Sequence, residues 1–174
     1  MTEINDIVDS FASGVAARND YQAKEKAKQE EQMEEKRRKA TEILALAPVS
    51  YLALTKDIQQ TAEGIKQNEK VPDSDKVRVE VSSFTVNIYY QDYWYQMQYR
   101  EAGLLSTEPQ APIVDIFEKG KPSERAGWFD FDLKDSKLIW RHKPVSKTSE
   151  QDFTDVKDVA KLIFEWVRER KVRR

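Results

Sequence analysis

Cysteine is absent from this chain of 174 residues. That removes disulfides, thiolate nucleophiles and thiolate metal sites, and it fits a reducing compartment, so a cytoplasmic location is expected. Glycine is scarce. The five glycines, at positions 14, 64, 103, 120 and 127, form neither GxGxxG nor GxxxxGKS/T. No phosphate cradle follows from them, and no cofactor is expected. The single histidine, His142, stands between Arg141 and Lys143 with no adjacent acid to orient it. Neighbouring positive charge disfavours an imidazolium there, so the sequence predicts a surface histidine at a strand end and not a catalytic base.

Long apolar runs are also missing. The longest, Ile43 to Leu54, is interrupted by Pro48 and falls short of the roughly 20 residues that a membrane helix needs. The first residues are acidic, with no basic segment before an apolar run, so neither a secretory signal nor a membrane partner is expected. Charge of one sign is lacking too: 29 basic against 31 acidic residues leave a formal net charge of −2, and the chain as a whole has no field to gather nucleic acid.

What the chain does have is contrast. Between Val77 and His142 it carries alternating apolar and polar residues crowded with aromatics, as in Phe84 to Tyr99 (FTVNIYYQDYWYQMQY). Ahead of this lies a Lys/Glu/Gln-rich tract, Gln22 to Lys39, almost free of large apolar groups. The composition points to one domain of ordinary size with a charged appendage. We assign residues 1–47 to an amphipathic helix and charged helical arm, and residues 48–174 to an α+β domain.

Ile4, Ile7, Val8, Phe11 and Val15 recur at helical spacing. Their polar face carries Glu3, Asp6 and Asp9, the wrong sign for an anionic membrane, so this stripe is expected to pack on protein. From Asp20 to Leu46 the chain is rich in helix formers, with Glu34/Arg38 and Glu35/Lys39 as favourable i,i+4 pairs. Only Ala27, Met33 and Ala40 are apolar between Lys24 and Glu42, too few for a coiled-coil seam, so the arm is expected to be solvated.

Pro48 is expected to end one helix and open another over 48–67, which buries Tyr51, Leu54, Ile58 and Ile65, with Leu52 and Ala62. Residues 68–76 read as an exposed linker. The alternation then predicts an antiparallel meander of about four to five strands over 77–142, with a bulge at Ser82/Ser83, where the parity of the apolar residues changes. A helix over 149–171 carries Phe153, Val156, Ala160, Ile163 and Val167 on one face and is expected to cover the sheet. Helices and strands in separate blocks make the fold class α+β.

Three constellations carry chemistry. Tyr89, Tyr93, Trp94 and Tyr95 form an aromatic strand surface which, with Ile4, Ile7 and Phe11, we take as candidate partner-binding residues, because Tyr and Trp are favoured interface anchors. Arg168, Arg170, Lys171, Arg173 and Arg174 are the basic residues of the alternative, a nucleic-acid-binding accessory protein. Against it, residues 77–142 hold 8 Lys/Arg and 10 Asp/Glu, a poor balance for attracting phosphate. Asp130 and Asp132 share one strand face, and if Asp115 joined them a divalent cation could be held, the basis of a second alternative, a carboxylate-metal hydrolase. A wet strand face opposite Phe129, Phe131 and Leu133 explains the same spacing, so no metal is assigned. The expectation is a non-enzymatic interaction module, an adaptor, inhibitor or assembly component, whose partner is another protein or a second copy of the chain.

Overall fold

The computed structural model describes residues 2–91, 93–101, 112–118, 125–144 and 150–169. The chain divides into two compact units, residues 1–38 and 39–174, described in turn.

The first unit is the leading part of helix α1 (Thr2–Gln67). Its described side chains from position 11 onward are almost all exposed, Phe11 and Tyr21 included, and its ion pair Lys26–Glu30, at 3.8 Å, lies in solvent. Such a pair adds only a few tenths of a kcal/mol, so helix-forming residues hold this stretch in shape more than burial does.

In the second unit α1 continues from Lys39 and changes character. Ile43, Ala47, Tyr51, Leu54, Ile58 and Ala62 are buried at three- and four-residue spacing, a stripe that docks on a sheet, whereas Leu52, expected with them, falls off the stripe and is exposed. Pro48 does not break the helix, contrary to the expectation of two helices meeting there; it lies inside α1. A mid-helix proline costs about 3 kcal/mol, and burial of Ala47 and Tyr51 on either side of it offsets that cost. At the helix end Asn68 accepts at both its backbone and its side chain, from Val71 N at 3.0 Å and Lys70 N at 3.0 Å. A 3-10 turn, Asp73–Asp75, then leads into the sheet.

The sheet is a pure antiparallel meander with strands in sequence order: β1 (Val77–Ser82), β2 (Thr85–Tyr90), β3 (Tyr93–Arg100), β4 (Ile113–Glu118), β5 (Arg125–Lys134), β6 (Lys137–Pro144) and β7 (Gln151–Phe153). Seven strands replace the four to five expected. One extra arises at Ser82/Ser83, where a two-residue turn joins β1 to β2 in place of a bulge, with Ser82 opposite Thr85 and Val81 opposite Val86. A tight turn changes parity as a bulge does, so alternation alone does not separate them. The Phe84 carbonyl in this turn accepts from Tyr99 N at 2.9 Å and from the Tyr51 hydroxyl at 3.3 Å, anchoring a turn that has no glycine. The turns after β2 and β5 also lack glycine. They place Gln91 (φ 54°), and Asp135 and Ser136 (φ 51° and 59°), in the left-handed region that two-residue hairpin loops favour.

The other extra strand is β7, in which Phe153 pairs with Trp140. Helix α2 therefore spans Val156–Glu169 and does not begin at 149. The Asp155 side chain accepts from Lys157 N at 2.9 Å, the capping geometry that fixes the start. Residues 170–171 of the expected helix lie outside the described residues.

Both helices cover one face of the sheet. Tyr51 of α1 tilts against Tyr99 with ring centroids 5.2 Å apart, and Trp140 donates its indole N–H to Ser50 Oγ at 2.8 Å. On α2, Val159, Ala160, Ile163 and Val167 are buried, and Trp166 stacks on Phe129 at 6.2 Å. Among the described residues no helix is long and apolar enough to cross a membrane.

Candidate functional site

The register divides the candidate aromatics between two faces. Tyr93 and Tyr95 point inward beneath the helices, and Tyr95 is buried in the core. Tyr89 and Trp94, directly opposite one another, point outward and stack at 6.3 Å. Arg78 lies 4.4 Å over the Tyr89 ring, and the Tyr89 hydroxyl donates to Glu80 Oε2 at 2.9 Å. That hydrogen bond to a carboxylate raises the Tyr89 pKa. The four aromatics thus do not form one platform, because consecutive residues of a strand face opposite ways. Phe11 is exposed in the first unit, and the side chains of Ile4 and Ile7 lie outside the described residues.

The carboxylates are claimed by cations. Asp132 accepts from Arg141 at 2.8 Å, and Arg141 also donates to Asp152 at 3.1 Å, which raises the guanidinium pKa. Lys143 lies 4.0 Å from Asp130 and 2.5 Å from Glu150. Asp115, fully buried, pairs with Arg100, and the register sets it opposite Trp128, so it does not face Asp130 directly. Among the described residues no three His, Cys, Asp or Glu side chains gather in a way that would hold a metal ion. Asp130 is the odd member: its Oδ1 is buried with no hydrogen-bond partner, and burial, opposed by Lys143 and Arg141, raises its pKa.

His142 is not the surface residue expected. It belongs to the inner face, only 8% exposed, with its ring 4.7 Å from Trp166 and 5.3 Å from Phe129. Gly127 makes room for it, since a Cβ there would stand 3.4 Å from His142 Nε2. The flanking Arg141 and Lys143 point to the other face, so burial, and not their charge, lowers the imidazole pKa.

A cleft of about 840 Å³ opens between α1, α2 and the β1 end of the sheet. Ile65, Val71, Val77, Tyr90, Phe164 and Val167 give it an apolar floor. Asp57, Asp75, Glu165, Lys157, Lys161 and Arg168 add charge of both signs to its lining. Its size and lining are those of a ligand or peptide site. Of the basic residues singled out at the chain end, Arg168 is thereby placed in the lining; Arg170, Lys171, Arg173 and Arg174 lie outside the described residues. Sequence reading missed this cleft because its walls come from segments about 90 residues apart. The only trace is Ile65 and Phe164, apolar residues at the margins of two helical stripes. Comparison with protein-family models, with curated proteins and with solved structures found no match.

Proposed function

We propose that this chain is a non-enzymatic protein-interaction module whose cleft between α1 and α2 receives an apolar segment of a partner protein. The observation that carries the reading is the cleft itself: an apolar floor with charge of both signs in its lining. A buried apolar anchor supplies most of the binding energy at such a site, while rim charges set orientation and on-rate. Tyr51, Asp130 and His142, whose proton affinities burial displaces, do not line the cleft, so the site offers shape and apolar surface more than acid–base chemistry. The outward pair Tyr89 and Trp94, with Arg78, supplies a second, smaller aromatic surface for contact.

The test is to fill the cleft. Thr61 lines it yet is exposed, so Thr61→Trp occupies the space without touching the core. Wild type and Thr61→Trp, immobilised side by side, are exposed to extract of the native host. We expect one protein species retained by wild type and lost with Thr61→Trp at an unchanged melting temperature. Equal retention by both overturns the cleft as the binding site. Salt-sensitive retention of nucleic acid, or a melting temperature that rises with added Mg²⁺ or Ca²⁺, would instead favour the nucleic-acid or the metal-hydrolase reading.

A further inference from the structure

The sheet has two edges, and they are unlike. β7 is three residues long, and its Asp152 is tied back to Arg141 at 3.1 Å, so it offers little to a newcomer. β1 is six residues long, pairs with β2 in unbroken register, and among the described residues has no strand on its other side. Its sequence, Val-Arg-Val-Glu-Val-Ser, contains no proline, glycine or lysine. A strand of this kind presents a row of backbone donors and acceptors that natural proteins usually block by shortening, bulging or covering it.

The side chains say what fits. Val77, Val79 and Val81 point to the inner face and Arg78 and Glu80 to the outer, with Arg78 and Glu80 3.5 Å apart. If a second β1 runs antiparallel with Val79 opposite Val79, then Val77 opposes Val81 and Arg78 opposes Glu80, twice by symmetry. Every pair is apolar with apolar or cation with anion. Moving the centre to Arg78 or Glu80 sets like charges face to face, which is destabilising. A one-residue slip sets Val79 against Glu80 and throws the two inner faces to opposite sides. The Val79-centred register is therefore selected by the strand's own sequence, and it has the twofold symmetry of an isologous dimer.

There is also room beside the strand. A cavity of about 590 Å³ lies between Gln59, Ala62, Glu63 and Lys66 of α1 and Val77, Arg78 and Val79 of β1. The inward valines of an added strand would enter this space while their backbone pairs with the edge.

We propose that β1 is the docking edge for a second copy of this chain, joining two seven-stranded sheets through an antiparallel β1–β1 pair centred on Val79. This surface meets the cleft between α1 and α2 at Val77, but it rests on the backbone edge and charge pattern of β1 and not on what the cleft binds.

Charge reversal separates this pairing from any other contact between copies. Arg78→Glu and Glu80→Arg each put like charges opposite in the self-pair, but mixed together they restore two cation–anion pairs. By sedimentation of the full chain we expect wild type to dimerise. Each variant alone should associate at least about tenfold more weakly, equivalent to about 1.4 kcal/mol, and an equimolar mixture should recover a one-to-one dimer. Because the chain has no cysteine, single introduced thiols give a second readout. Under mild oxidation Val79→Cys should form a covalent dimer, since directly opposed residues place their Cα atoms within disulfide range, whereas Val81→Cys should not. Wild type that stays monomeric at hundreds of micromolar, dimers that persist in both single variants, or equal crosslinking at 79 and 81 would each overturn the proposal.

Discussion

The two faces of the sheet are built from the same strands and obey different rules. Inward lie Val86, Ile88, Tyr95, Met97, Val114, Phe129 and Trp140, covered by α1 and α2 and almost wholly removed from water. Outward lie Arg78, Glu80, Tyr89, Trp94, Asp130, Asp132, Arg141 and Lys143, which satisfy one another in short chains of ion pairs and ring contacts. Burial of apolar area contributes about 25 cal/mol per Å², while an exposed ion pair contributes about 0 to 1 kcal/mol. The inner face therefore carries stability, and the outer face and the edges are free to carry recognition.

The hardest blow to that division is struck at Trp140. It is buried, packs edge-on against Phe131 at 4.6 Å and donates to Ser50. Trp140→Ala should destabilise by about 3 to 5 kcal/mol, and Phe131→Ala and Ile163→Ala by about 2 to 5 kcal/mol each. Outward Trp94→Ala should cost no more than about 1 kcal/mol. Denaturant midpoints measure all four, and a Trp94→Ala loss equal to that of Trp140→Ala would dissolve the distinction.

Most of that inward set was legible in the sequence, because alternation from Val86 to Tyr90 and from Met97 to Tyr99 names the buried parity, but Tyr95 was assigned to a partner-binding surface and lies in the core. The α+β class was legible for the same reason. Topological detail was not. A two-residue turn at Ser83–Phe84 and a bulge produce the same parity change, and the hydrogen bonds that select the turn come from Tyr51 and Tyr99, remote in sequence. Pro48 reads locally as a break, and only docking of the residues on both sides explains why α1 runs through it. His142 was misread because Arg141 and Lys143 are neighbours in sequence but face the other way. The cleft joins α1, β1 and α2 and has no local signature at all.

His142 gives the next test. With Phe129 and Trp166 against its ring, exchange for Gln should cost about 1 to 3 kcal/mol by leaving a polar group in an apolar site. Its pH dependence has a definite sign. The folded-state pKa is lowered by burial, so the unfolded chain binds the proton more readily. Stability from the neutral imidazole is complete above the unfolded value of about 6.5 and is lost as pH falls from there through the folded value. Wild type should lose stability across that window, and the slope should flatten in His142→Gln. An identical slope in both proteins would place the titration elsewhere.

A smaller effect is expected at the start of the chain. The buried core cluster begins at Ile43, and the described side chains from 11 to 39 are exposed or half-exposed. A chain that begins at Ala40 retains every member of that cluster, so its melting midpoint should stay within about 1 kcal/mol of wild type. Unfolding of the shortened chain would mean that the inner face needs cover from residues before Ala40, and the assignment of its stability to α2 and to α1 from Lys39 onward would fail.

The smallest effect falls at Asp130, a half-buried residue of the outer face. Its Oδ1 is buried without a hydrogen-bond partner, and Lys143 is at 4.0 Å from its other oxygen, too far for a strong pair. Burial raises the folded pKa above the ordinary carboxylate value, so the folded chain binds this proton more readily than the unfolded one. The charged form is then a cost at neutral pH that is relieved as pH falls through the raised value. Asp130→Asn removes the charge but keeps the shape, and at pH 7 it should leave stability unchanged or raise it by no more than about 0.5 kcal/mol. Near pH 3, where the carboxyl is protonated in both states, that gain should vanish. Melts of wild type and variant at the two pH values decide the matter. A clear loss at pH 7 would show that the Lys143 pair outweighs desolvation, and that the outer face contributes to stability at this position as well as to recognition.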